Sequence, residues 1–269
     1  MLPSAKIDRV WKWQKTGLHQ ALRLLARPSD KRILLVSGVQ RSGTNLVLGT
    51  LDASLDTSVF FEGDPRAFDR FALRDVECIL NLTEQANTSL VVFKSLLEAG
   101  ELADWMDATG ASAIWVFRSY TDMVNSYLRK WPGGRNRLDE IADGRALEDW
   151  RARGIRDETL DMIRQHYDPA MSDADAIALF WAYRNQMFFD QGLADKTNVL
   201  LLFYDDFVRR PAVVGRQVCR FAQIPYTPSL TRAVKTSSLK KNDPPRLRPD
   251  ITELCEEMMA RLKAVYEPS

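Results

Sequence analysis

Cysteine is scarce in this chain of 269 residues: Cys78, Cys219 and Cys255 are odd in number, far apart and without a C-x-x-C pair. That excludes a disulfide framework, offers no zinc-ligand spacing, and makes a reducing cytoplasm the expected setting. Histidine is scarcer still. His19 and His166 are the only two, and since neither follows an expected core strand, both read as ordinary surface residues. No apolar run approaches the roughly 20 residues that a transmembrane helix needs, and the first residues lack the apolar block of a secretory signal. Net charge is small as well, because 37 basic residues against 36 acidic ones leave +1. No global field therefore gathers nucleic acid or an anionic membrane, and any anion site has to be local. Internal repeats and low-complexity tracts are also missing.

What is present suits one large core: 45% of the residues are hydrophobic and 27% charged, so a single domain over residues 1–269 is expected. Residues 5–27 read as a basic amphipathic helix, with Ile7, Val10, Trp11, Leu18, Leu22 and Leu25 set among Lys6, Arg9, Lys12, Lys15, Arg23 and Arg27. It is expected to pack on its own domain, with peripheral membrane contact as its other use. Short branched apolar runs at 33–36, 90–93, 113–117 and 198–203 predict four buried strands. Between and after them, periodicity predicts helices near 44–54, 98–109, 120–130, 174–192 and 251–266. The alternation predicts an α/β fold of three layers around a mostly parallel sheet, with ligands beyond the carboxyl ends of the strands. Residues 131–173 read as a helical insertion, either a cover over that site or a solvated excursion.

The segment Gly38-Val39-Gln40-Arg41-Ser42-Gly43-Thr44-Asn45 joins the first strand to the first core helix. Backbone N–H groups and a helix N-terminus converge there, as a phosphate or sulfonate site requires. The two glycines have the spacing of a P-loop, yet Thr44 stands where its Lys should be, which argues against NTP hydrolysis. The cation is Arg41 instead, placed to stabilise charge developing on a bridging oxygen.

These residues resemble the sulfotransferase superfamily. Gln40-Arg41-Ser42-Gly43-Thr44 is similar to the loop that holds a 5′-phosphosulfate, in the version with Arg where cytosolic members carry Lys. Arg118 at a strand end and Ser126 one helical stretch later, in Val116-Phe117-Arg118-Ser119-Tyr120-Thr121-Asp122-Met123-Val124-Asn125-Ser126, resemble the pair that binds the donor's 3′-phosphate. An Arg fork grips phosphate bidentately, and a hydroxyl adds a donor. Leu202-Phe203-Tyr204-Asp205-Asp206 is similar to the late strand whose Tyr lies by the adenine, with Asp205 where Glu is usual. Residues 235–248 occupy the place of the nucleotide-covering loop without its Gly-bearing basic motif, and there Lys240 or Lys241 either touches the 3′-phosphate or is solvated. The resemblance covers about 32–243. It implies the P-loop NTPase-like sulfotransferase fold and the donor 3′-phosphoadenosine 5′-phosphosulfate (PAPS, leaving as PAP) bound by residues 40–45. No metal is expected, since a sulfonate carries less negative charge than a terminal phosphate and the sequence has no metal-ligand spacing.

Transfer to a hydroxyl needs a proton acceptor. Glu62, following Val59-Phe60-Phe61, resembles in placement the catalytic Glu of tyrosylprotein sulfotransferases, with an ion pair to Arg66 as the plain alternative. Lys94, ending the second strand, either stabilises the transferring sulfonate, pairs with Glu62, or is solvated. The loops 64–74 and 131–173 are expected to build the acceptor pocket. Trp131, Trp150, Tyr167 and Trp181 are candidates either to stack on a small-molecule or glycan acceptor, a carbohydrate hydroxyl being the first expectation, or to be core. Two other functions fit parts of the pattern: an ATP-dependent P-loop phosphotransferase, and a nucleotide-binding relative without acceptor chemistry.

Overall fold

The apolar run at 33–36 becomes the middle of a sheet because its side chains are apolar on both faces, and only a strand covered on both sides can use that. In this computed structural model, which describes residues 29–133, 135, 137–235 and 243–266, β1 (Arg32–Gly38) leads into helix α1 (Thr44–Asp52). Strand β2 (Thr57–Phe60), a hairpin of β3 (Phe68–Asp69) and β4 (Ala72–Leu73), and helix α2 (Val76–Gln85) follow. Next come β5 (Leu90–Lys94), α3 (Leu102–Thr109), β6 (Ser112–Phe117) and α4 (Tyr120–Lys130). The chain continues through α5 (Leu138–Ala142), α6 (Asp157–His166) and α7 (Asp173–Asp190). It ends with β7 (Val199–Phe203), α8 (Tyr204–Arg209), α9 (Pro211–Phe221) and α10 (Pro249–Val265).

The main sheet is wholly parallel in the order β2-β5-β1-β6-β7. Alternation along each strand sends residues to two cores. Leu35, Phe93, Trp115 and Phe117 face one, with α4, α7 and α10. Leu34, Val36, Val92 and Val116 face the other, with α1 and α9. These are the three layers the sequence implied. Helix α7 is buried along 14 of its 18 residues and starts at a capping box between Ser172 and Asp175; a helix apolar on nearly every side has to lie inside the molecule.

The sheet has five strands where four were expected. Strand β2, Thr-Ser-Val-Phe, lies at an edge and is half polar, so it lacked the all-apolar signature of its neighbours. Helices α2 and α9 were not anticipated either, although Asp75 caps one through the Cys78 N–H and Pro211 opens the other. Residues 131–173 hold the short helices α5 and α6, as expected of an insertion. The expected helix at 5–27, His19, Lys240 and Lys241 lie outside the described residues. Among the described residues no helix is long and apolar enough to cross a membrane.

Candidate active site

The order of the strands fixes where a site forms. The chain runs from β1 to one side of the sheet and later returns to the other side at β6, so a crevice opens beyond the carboxyl end of β1. The turn after β1 fills it. Gly38 has φ 138°, and a Cβ there would stand 2.3 Å from the Val116 carbonyl oxygen. Gly43 has φ 102°, and a Cβ there would stand 2.0 Å from the Tyr204 ring. Only glycine permits both approaches. Between them Arg41 holds φ 70°, a strained conformation for a side-chain-bearing residue. Gly43 also begins α1 without any side-chain cap; the Leu46 N–H donates to the Gly43 carbonyl at 2.9 Å, and a helix N-terminus beside the crevice favours an anion.

Strand register places the partners. Phe117 lies opposite Phe203, so Arg118 and Tyr204 emerge side by side, with the guanidinium 4.7 Å over the phenol ring. Arg118 also reaches the Arg41 carbonyl oxygen at 3.4 Å and Asp122 at 3.5 Å. Its own carbonyl accepts from the Trp181 indole at 3.1 Å, so Trp181 is a buried prop and not an acceptor platform. Nearly two turns into α4, the Ser126 hydroxyl accepts from Arg41 Nε at 3.2 Å. Burial, with Arg118 and Arg129 nearby, pushes the Arg41 guanidinium below its usual pKa: this cluster of cations calls for an anion. Gln40 and Ser42 are buried, and neither the Gln40 amide nor the Ser42 hydroxyl has a partner among the described residues. Buried polar atoms left in this state are short of a ligand, so the residues fit a bound phosphosulfate. Thr44 is buried and Asn45 exposed at the mouth. Asp205 is buried behind Tyr204, and desolvation pushes its carboxyl up while Arg118 opposes.

On the other side of β1, Phe60 pairs with Phe93 in register and stacks on it at 5.0 Å. Two residues past the end of β2 and at the last residue of β5, Glu62 and Lys94 meet: Lys94 Nζ donates to Glu62 Oε2 at 2.6 Å. The lysine is buried and the carboxylate partly open. The plain alternative for Glu62 is not realised, because Arg66 pairs with Asp64 at 2.5 Å and lies over Phe60.

One cavity of about 1090 Å³ joins the two sides. Gln40, Arg41, Gly43, Thr44, Asn45, Arg118, Ser126 and Tyr204 line one part, Glu62 and Lys94 another, and Trp131 and Trp150 the mouth. Tyr167 lies outside its lining. So does His166, which is not the surface residue expected: its ring is largely covered, with Nδ1 3.3 Å from Asp250. Two functional neighbours, Arg184 and Glu98, escaped the sequence reading. Arg184, fully buried in α7, donates to the carbonyls of Leu96, Trp150 and Arg151 and so ties two lining loops together. Burial lowers its pKa to about 10. Glu98 accepts from the Leu73 N–H at 2.6 Å and is raised by desolvation to about 7. Arg70 and Phe71, in the 64–74 loop expected at the acceptor pocket, form the tip of the β3–β4 hairpin and also line the cavity. A charge inside an apolar helix pattern was the available signal for Arg184.

The family model described as the sulfotransferase domain matches residues 31–244. Among solved structures the chain is similar to the sulfotransferase domain from the curacin biosynthetic pathway, at 14% identity and TM-score 0.52, covering 91% of this chain and 100% of that one. It is also similar to a sulfotransferase from Mycobacterium avium, at 13% identity and TM-score 0.51, covering 95% of this chain and 82% of that one. At such identities these structures speak for the fold. A comparison with curated proteins finds no match.

Proposed function

The chain belongs to the sulfotransferase domain family, and from that premise we propose that it moves a sulfuryl group from PAPS to an acceptor hydroxyl, with a carbohydrate as the acceptor. One observation carries the reading: two clustered guanidinia and the buried Gln40 amide, which has no partner among the described residues, share a cavity with a Lys–Glu pair. PAPS, when bound, supplies an activated sulfuryl group on a phosphate leaving group. Gln40, Arg41, Ser42, Gly43, Thr44 and Asn45 would hold the 5′ end, Arg118 and Ser126 the 3′-phosphate, and Tyr204 the adenine. Lys240 and Lys241 are proposed to add to the 3′-phosphate contacts.

Each remaining role follows from this chain's own groups. Glu62 carries its negative charge at the cavity, with Oε2 held by Lys94, so the carboxylate is aimed before an acceptor arrives and takes the hydroxyl proton. Once that proton sits on Glu62, the ion pair is broken and the Lys94 cation is released to stabilise negative charge in the cavity. Arg41, already beside Ser126 and Arg118, neutralises charge at the other end. The chemistry needs no P-loop lysine, in keeping with Thr44 at that position. The test is PAP release from PAPS over a panel of sugar and phenol acceptors. Glu62→Gln is expected to lower turnover by about 10²–10⁴ while PAP affinity holds. Turnover near the parent value in that variant would remove Glu62 from the mechanism.

A further inference from the structure

Backbone strain is concentrated at this cavity. Among the described residues five non-glycine residues have positive φ, and four of them, Arg41, Arg70, Phe71 and Arg137, line it. Arg70 (φ 47°) and Phe71 (φ 72°) are the two central residues of the β3–β4 hairpin, in which Asp69 pairs with Ala72. A two-residue hairpin with positive φ at both positions is the place for Asn-Gly, and an Arg-Phe pair there is held against its preference. The base of the hairpin is fixed. Leu73 N–H is bound by the buried Glu98 carboxylate, and Arg74 N–H donates to the Ala67 carbonyl at 2.9 Å. A strained tip on an anchored base is retained for what its side chains do.

Seven basic side chains line the cavity against one carboxylate, Glu62. Lys94 is paired with it, Arg118 with Asp122, Arg135 with Asp173, Arg137 with Glu140 and Asp149, and Arg151 with Asp149. Arg41 and Arg70 have no carboxylate within 4.0 Å among the described residues. Arg41 belongs to the donor loop. Arg70 stands on the hairpin, away from the donor motifs, next to Phe71, which is 64% exposed; Trp131, 42% exposed, lines the same cavity. The exposed Phe71 ring, the open part of Trp131, whose ring also packs on Tyr127 and takes the Arg41 guanidinium at 5.8 Å, and a cation without a carboxylate partner among the described residues fit a ring with an apolar face and an acidic substituent.

We propose that the Arg70–Phe71 tip selects the acceptor, and that the acceptor is an acidic sugar whose anionic group pairs with Arg70 while Phe71 and Trp131 cover its apolar face. This rests on the sulfotransfer reading. The test uses 4-methylumbelliferyl β-glucuronide and β-glucoside, which differ at one carboxylate, as acceptors with PAPS, beside calorimetry with PAP. The protein is expected to favour the glucuronide by about tenfold in kcat/KM. Arg70→Gln is expected to bring the ratio near one, Arg70→Lys to restore part of it, and PAP affinity to stay unchanged in both. Phe71→Gly is expected to raise KM for both probes and to raise Tm by about 2–4 °C as the strain is relieved. A preference that survives in Arg70→Gln overturns the proposal, as does a preference for the glucoside. So does sulfation of neither probe by a protein that binds PAP. Failure of PAP to bind overturns the donor reading itself, and this proposal with it.

Discussion

The two halves of the cleft are built differently. On the donor side, strand ends and the first turn of a helix supply nearly every group, and Phe117 and Phe203, the last residues of β6 and β7, stack on each other with Tyr266 edge-on to both. On the acceptor side the Glu62–Lys94 pair also sits on strand ends, but around it lie loops: the strained hairpin tip, the Leu96–Leu97 stretch and the segment from Trp131 to Arg151. Those loops are tied from beneath by two buried charges, Arg184 and Glu98. A hydrogen-bonded sheet fixes positions without help, whereas loops need specific polar ties, and a buried charge ties firmly because its release is costly.

Substitutions can break this division, and the largest effect is expected in the donor loop. Arg41→Ala should lower turnover by about 10²–10³, the loss typical of removing one group that stabilises transition-state charge, with the Tm unchanged; steady-state kinetics beside a thermal melt checks it. Arg184→Met leaves three carbonyls of the lining loops without their donor, so a stability loss of about 3 kcal/mol is expected in urea titration. PAP affinity should survive that change while acceptor KM rises. If PAP affinity fell equally, the two halves would not be separable in this way. Gly43→Ala should cost about 2 kcal/mol or more, since its methyl would collide with the Tyr204 ring, and here donor affinity is the property expected to fall.

The smallest effect depends on pH. Glu98 is raised from 4.5 to about 7 in the folded protein, so the native state binds its proton more tightly than the unfolded chain does. That contribution to stability is fully present below about pH 4.5 and is lost as pH rises through 7. Glu98→Gln removes the titration. Over this window the Tm of the parent should fall relative to the variant, by the equivalent of about 2 kcal/mol. Parallel Tm curves for the two proteins would show that Glu98 does not titrate there.

The same division explains what could be read from the sequence. Donor-side residues lie in contiguous motifs where a strand meets a loop, and the register that brings Arg118 to Tyr204 follows once both strands are recognised in parallel pairing. The Lys94–Glu62 pair was one of several alternatives, and the sequence left it open because the second strand end, β2, is short and half polar. The 64–74 loop was expected at the acceptor pocket, but its hairpin was illegible for a physical reason: Arg-Phe at positive φ contradicts the turn chemistry that marks a hairpin. Glu98 looked like the start of a helix, while the chain instead makes a 3₁₀ turn at Ala99–Glu101 and turns the carboxylate inward to the hairpin.

The central proposal is that the cluster of Arg41, Arg118, Ser126, Gln40 and Ser42 holds a 3′,5′-bisphosphorylated adenosine. Calorimetric titration with PAP, beside ADP and ATP with and without magnesium, addresses it without any knowledge of the acceptor. The account predicts metal-independent binding of PAP in preference to ADP and ATP, weakened by about 10–100-fold in Arg118→Ala. Preference for ATP with magnesium, or PAP binding that is indifferent to Arg118, would contradict it.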